Sequence, residues 1–197
     1  MANLHFHYGV MAAAKSASLL ITAFNLKQRG NKVELLKPKT DNRFSVDEIS
    51  SRVGGLSAKA TTLANLDNYT PQPDTQFILI DEIQFFSPED IDKLVKIADS
   101  SKDLVIMCYG LLTDSNENMF PASKRLIEVG AKLHHMESNC QIDGCMRLAT
   151  HNARFDENGK LITNGPPIAV GADEYRSVCR KHFAMFKNGM ILEPKGK

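Results

Sequence analysis

Short apolar runs alternate with amphipathic segments through the first two thirds of the chain, and that alternation admits few folds. Leu4 to Tyr8 reads as a strand. After a small-residue turn, Ser16 to Arg29 carries Leu19, Leu20, Ala23 and Phe24 at helical spacing and stops at Gly30. Val33 to Leu36, Phe77 to Ile80, Leu104 to Tyr109 and Lys132 to Met136 read as further strands. Ser87 as N-cap, Pro88 at the first helical position and Asp90 completing an approximate capping box open a helix whose apolar face is Ile91, Leu94, Val95 and Ala98. Another helix over Ala122 to Val129 is stopped by Gly130. Short apolar strands separated by helices predict an α/β fold with a parallel sheet covered on both faces.

From about Ser138 the pattern changes to short, polar segments punctuated by Gly and Pro, such as Asn164-Gly165-Pro166-Pro167. The expected division is an α/β domain over 1–137 and a smaller second domain over 138–197. The stretch from Thr40 to Gln76 is long for a connection inside such a domain and predicts a functional lid or an extra hairpin. A net charge of +1 with no Lys/Arg-dense run speaks against nucleic acid and against a basic membrane surface, and points to a small-molecule partner. The start lacks the basic and apolar regions of a signal peptide, and no apolar run reaches roughly 18 residues, so a cytoplasmic protein is expected.

Between the first strand and the first helix lies Gly9-Val10-Met11-Ala12-Ala13-Ala14-Lys15-Ser16. It follows the phosphate-binding pattern G-x-x-x-x-G-K-[ST] except that Ala14 stands at the second glycine. In such a loop the backbone N–H groups cradle phosphates, the lysine reaches the β/γ oxygens and the serine hydroxyl binds Mg²⁺. If the position needs positive φ, alanine there costs on the order of 1 kcal/mol.

Asp81-Glu82 ends the strand Phe77 to Ile80, where an open α/β sheet keeps its ligands. A phosphoryl-transfer site needs one carboxylate for Mg²⁺ or its waters, and a neighbour can take a proton from an alcohol acceptor. Gln84-Phe85-Phe86 follows at once, offering an amide and two aromatic faces, one expected in the core and one at a ligand. Near the C-terminus, Cys140-x4-Cys145 and Cys179-x2-His182 supply four ligands in two close pairs, which suits a closed tetrahedral structural Zn²⁺ site. Cys108, inside an apolar run, reads as a core thiol. His5, His7, His134, His135 and His151 show no such paired spacing and read as strand or surface residues.

Together these motifs resemble the type II thymidine kinases, the zinc-containing P-loop family. The likeness covers Gly9-x-Met11, Ser51-Arg52, Asp81-Glu82-x-Gln84-Phe85, Cys108-Tyr109-Gly110-Leu111, Ser123-Lys124-Arg125-Leu126 and Tyr175-x2-Val178-Cys179-Arg180-x-His182, in the family's order along nearly the whole chain. The resemblance implies transfer of the γ-phosphate of ATP to the 5′-hydroxyl of thymidine. It implies Glu82 as catalytic base, Gly9 to Ser16 as the ATP loop, and Asp81, Glu82, Ile83 and Gln84 as a second nucleotide-contacting stretch. Cys140, Cys145, Cys179 and His182 match the family's zinc ligands. Asp41 and Arg43 fall near the sugar and phosphates, and Met11, Phe85, Phe120, Ile168, Val170, Gly171 and Tyr175 fall around the thymine. It further implies a RecA-like sheet, a C-terminal lasso whose backbone reads the base, a homotetramer, Mg-ATP as co-substrate and inhibition by thymidine triphosphate.

Three departures from the family pattern stand out. Ala14 replaces a glycine, Ser115 stands where an aromatic is usual, and Leu112 replaces a frequently basic residue. The first bears on ATP turnover, the other two on thymidine affinity. The rival readings are a non-catalytic thymidine- or nucleotide-binding protein on the same fold, and a zinc-ribbon nucleic-acid ATPase, which the near-neutral charge disfavours.

Overall fold

The computed structural model describes residues 3–41, 47–51, 54–165 and 174–192. Arg43, Arg52, Ile168, Val170 and Gly171, each named above, lie outside them. Chain contacts divide the protein into a first unit, Met1–Tyr8, Ala14–Leu112 and Phe120–Met136, and a second, Gly9–Ala13, Thr113–Met119 and Glu137–Lys197.

The first unit is built on a six-stranded sheet. Its strands are β1 (Leu4–Tyr8), β2 (Val33–Pro38), β5 (Thr61–Leu63), β6 (Phe77–Ile80), β7 (Val105–Gly110) and β8 (Lys132–His135), in the order β5-β2-β6-β7-β1-β8. Every pairing in it is parallel. Three helices accompany it: α1 (Lys15–Gln28), α2 (Pro88–Ser100) and α3 (Pro121–Glu128). The alternation of side chains along each strand feeds two cores. Phe6, Ile78, Ile80, Ile106 and Cys108 join Ile91 and Leu94 of α2 and Ala122 and Leu126 of α3. Leu35, Leu79 and Tyr109 point the other way and join Leu19, Leu20 and Ala23 of α1. Each fully buried leucine or isoleucine contributes about 1.5–3 kcal/mol.

The expected strands and helices appear within a residue or two of their predicted bounds. The capping box is present in full: Ser87 Oγ accepts from the Asp90 N–H at 3.1 Å, and Asp90 Oδ2 accepts from the Ser87 N–H at 3.1 Å. Asp90 also accepts, through Oδ1, from the Leu66 N–H at 2.7 Å, which fastens the long insertion to the start of α2. That insertion holds an antiparallel hairpin, β3 (Glu48–Ser50) with β4 (Ser57–Lys59), and then β5, which extends the main sheet alongside β2. Glu34 collects its far end, accepting from Tyr69 Oη at 3.0 Å, the Gln72 N–H at 2.8 Å and Thr75 Oγ1 at 2.5 Å.

The second unit has an antiparallel pair, β9 (His151–Phe155) and β10 (Glu174–Val178), followed by α4 (Arg180–Lys187). Phe155, Leu161, Val178, Phe183 and Phe186 form its core. Among the described residues, no helix is long and apolar enough to cross a membrane.

Candidate active site

In the first unit, the sheet brings the start of α1 and the end of β6 together. Ser16 Oγ donates to Asp81 Oδ2 at 2.7 Å. Lys15, one residue earlier, is buried although charged. The residue before it, Ala14, sits in the left-handed region with φ 52 and ψ 32. This is the conformation for which the phosphate-loop pattern uses glycine, so the alanine carries backbone strain of about 1 kcal/mol.

Glu82, like Ala14, is held in left-handed backbone, at φ 49 and ψ 43, where the chain leaves β6 and enters the 3-10 turn Ile83–Phe85. Strain at two functional candidates has one consequence in common: each side chain is aimed by backbone that the surrounding fold must hold in place. Burial lifts the Asp81 carboxyl well above the usual carboxylate range, and the negative charge of Glu82 adds to it. The Ser16 hydrogen bond, a backbone hydrogen bond from Glu82 and the charge of Lys15 oppose the rise. A carboxylate so costly to ionise alone gains from a cation at the same place.

Gln84 joins the acidic pair to β7. Its amide nitrogen donates to Glu82 Oε2, and its amide oxygen accepts from the Leu111 N–H at 3.0 Å. The arrangement needs a glycine at position 110, since a Cβ there would lie 2.5 Å from Gln84 Oε1 and 2.7 Å from Ile83 Cγ2. The steric role of Gly110 follows from the register of β7 against the turn after β6, which no sequence pattern displays.

The remaining predicted residues of the first unit are distributed as follows. Phe86 is in the core, the place expected for one of the pair, and Phe85 is half-buried. Phe120 is buried and precedes α3, its N–H donating to Leu112 O at 3.1 Å. Asp41 lies 3.5 Å from Nζ of Lys37, a fully buried lysine that also donates to Glu48 O at 3.1 Å. Lys37 was missed; a lysine continuing an apolar strand just before Pro38 was the available signal.

In the second unit, the amides of the loop Gly9–Ala13 find partners on the β9–β10 pair. The Met11 N–H donates to Asn152 Oδ1 at 2.8 Å and the Ala12 N–H to Ser177 Oγ at 3.3 Å. Asn152 and Ser177 are both buried, and neither was predicted, because single polar residues in short strands carry no positional signal. Tyr175 lies on β10 opposite Arg154. Ser115 is buried with its hydroxyl unpartnered among the described residues.

The predicted metal ligands of this unit do meet. The donor atoms of Cys140, Cys145, Cys179 and His182 all lie within 4.8 Å of one another. Cys140 Sγ is 3.3 Å and Cys179 Sγ 3.5 Å from His182 Nδ1, and Cys145 Sγ is 3.9 Å from Cys179 Sγ. All three thiols are free of disulfides. Three soft sulfurs and one imidazole nitrogen in a closed group fit a structural Zn²⁺.

A family model described as thymidine kinase matches residues 2–183. This chain belongs to the thymidine kinase family. Among its relatives, the thymidine kinase of Idiomarina loihiensis is 40% identical over 190 residues, covering 93% of this chain and 96% of the relative. The thymidine kinase of Yersinia pseudotuberculosis is 38% identical over 192 residues, with 93% and 95% covered. That of Enterobacteria phage T4 is 37% identical over 189 residues, with 93% and 96% covered. Family membership therefore extends over both units.

Proposed function

We propose that this chain is an active thymidine kinase, which transfers the γ-phosphate of ATP to the 5′-hydroxyl of thymidine and releases dTMP and ADP. The observation that carries the reading is the Ser16 hydroxyl at 2.7 Å from the Asp81 carboxylate, with Lys15 and Glu82 adjacent to them in sequence. Family membership supports the substrate assignment.

In this reading Lys15 and the backbone N–H groups at the start of α1 receive the phosphates and offset the charge that spreads over the transferring group. Ser16 and Asp81 supply hard oxygens that fit Mg²⁺, which when bound neutralises phosphate charge. Glu82 takes the proton of the 5′-hydroxyl, and Gln84 keeps its carboxylate in one orientation. Phe85 and Phe120, with Met11 and Tyr175, are the described residues assigned to thymine on family likeness, and Asp41 is assigned to the sugar side. Cys140, Cys145, Cys179 and His182 would hold Zn²⁺ with every position filled by protein, so that ion keeps structure and performs no chemistry. A homotetramer in the cytoplasm, with the second domain acting as the lasso, completes the proposal.

The test is phosphate transfer to thymidine with Mg-ATP, wild type against Glu82→Gln, with deoxycytidine as control. Thymidine-specific turnover that collapses in the variant supports the proposal. The strained Ala14 favours one other reading, a protein that binds thymidine without turning it over. Isothermal titration showing thymidine binding with no turnover at saturating substrates would select it.

A further inference from the structure

The parallel register of β1 with its edge neighbour β8 gathers three histidines that the sequence spaces far apart. His5 and His7 are two residues apart on β1 and so share a face, and His134 of β8 lies directly beside His7. His5 Nδ1 is 3.0 Å from His134 Nε2. The His7 and His134 rings stack at 4.3 Å, and one nitrogen from each of the three residues falls within a group no wider than 4.8 Å. None of the three is fully exposed or fully buried, so an ion can reach them.

One atom in this group lacks an explanation. His7 Nε2 is buried and has no hydrogen-bond partner among the described residues. Buried polar atoms in native proteins are almost always satisfied by protein, water or an ion. The His7 ring also stacks on the buried Tyr109 ring at 4.5 Å, on the side away from β8.

We propose that His5, His7 and His134 form a second metal site, for a borderline divalent transition ion such as Zn²⁺, distinct from the cysteine-rich site of the second unit. Imidazole nitrogens are the ligands such ions prefer, and three of them leave a fourth position for water. A zinc ion about 2.1 Å from each nitrogen needs donors roughly 3.4 Å apart, and imidazole lone pairs lie in the ring plane, so the rings must turn out of their stack to close the set. The near-parallel rings, 8° between His7 and His134 and 14° between His5 and His134, turn about χ2 to converge. The ion would fasten the four-residue edge strand β8 to β1 and satisfy His7 Nε2.

The test uses full-length protein stripped by chelator, dialysed against Zn²⁺ and assayed for bound metal, wild type beside His134→Gln and His5→Gln. The expected result is roughly one more zinc ion per chain in wild type than in either variant. Equal zinc in all three overturns the proposal. A measurement on wild type alone guards against a variant that fails to fold: diethylpyrocarbonate modification mapped by mass spectrometry. Zinc should slow labelling of His5, His7 and His134 at least several-fold while His135 labels unchanged, and equal labelling with and without zinc overturns the site.

Discussion

The amide of Gln84 donates to the carboxylate of Glu82, and Gly110 leaves the space in which that amide sits. The carboxylate assigned as base is thus positioned by a residue two places along the chain and by a residue that contributes no side chain at all.

Glu82→Gln should lower kcat by about 10²- to 10⁴-fold, the usual contribution of a general base. Gly110→Ala leaves Glu82 in the chain but displaces Gln84, so it should also lower kcat. Steady-state kinetics on both variants, with circular dichroism to confirm folding, test the relationship. Wild-type kcat in Gly110→Ala would show that the Gln84 amide is not needed to orient the base.

Ala14→Gly relieves a left-handed alanine and should raise stability by about 1 kcal/mol, less the greater freedom that glycine gives the unfolded chain. Removing the methyl should also lower the KM for ATP. Urea unfolding and ATP titration read the two effects separately; a destabilised variant would mean that the methyl makes packing contacts worth more than the strain.

Ser16→Ala removes the hydroxyl that meets Asp81. Thymidine binding should survive, whereas Mg²⁺-dependent ATP binding should weaken by at least about tenfold, equivalent to about 1.4 kcal/mol. Calorimetry with each ligand separately would show it.

Thiol counting distinguishes the cysteines. Burial pushes the Cys108 thiol far above its ordinary range, so it should resist alkylation until the protein unfolds. Cys140, Cys145 and Cys179 should be protected by zinc and should react once a chelator removes it. Labelling of Cys108 in the folded protein would contradict its place in the core.

Asp90→Ala keeps the Ser87 Oγ cap on the backbone N–H of residue 90 but loses the other arm of the capping box, in which Asp90 Oδ2 accepts from the Ser87 N–H, and the bond to the Leu66 N–H, a buried donor. The cost should be about 2–3 kcal/mol, more than a surface cap alone, and chemical denaturation measures it.

Much of this architecture was legible because it is written in local patterns. Apolar runs such as Phe77 to Ile80, short and bounded by polar residues, read as buried strands, and Ser87 with Asp90 encodes a helix start within four residues. The four zinc-type ligands were legible through their chemistry and spacing. β5 was not, since Thr61–Leu63 is too short to show any periodicity and becomes a strand only by pairing with β2. The same holds for Asn152, Ser177 and the histidine group, whose positions depend on register between segments far apart in sequence. The strain at Ala14 was anticipated as a condition, and the backbone of the folded loop supplies the condition.

Because Met11 and Ala12 hand their N–H groups to Asn152 and Ser177, the loop that follows β1 is tied to residues near the other end of the chain. Modularity is therefore limited. A fragment ending at Met136 would contain every residue assigned to catalysis, yet two amides of the loop after β1 would have lost their acceptors. Gene fusions, circular permutations or proteolytic trimming that separate the two regions should cost the loop its shape before they touch the sheet, and recombination between relatives should favour crossovers that keep positions 11, 12, 152 and 177 together.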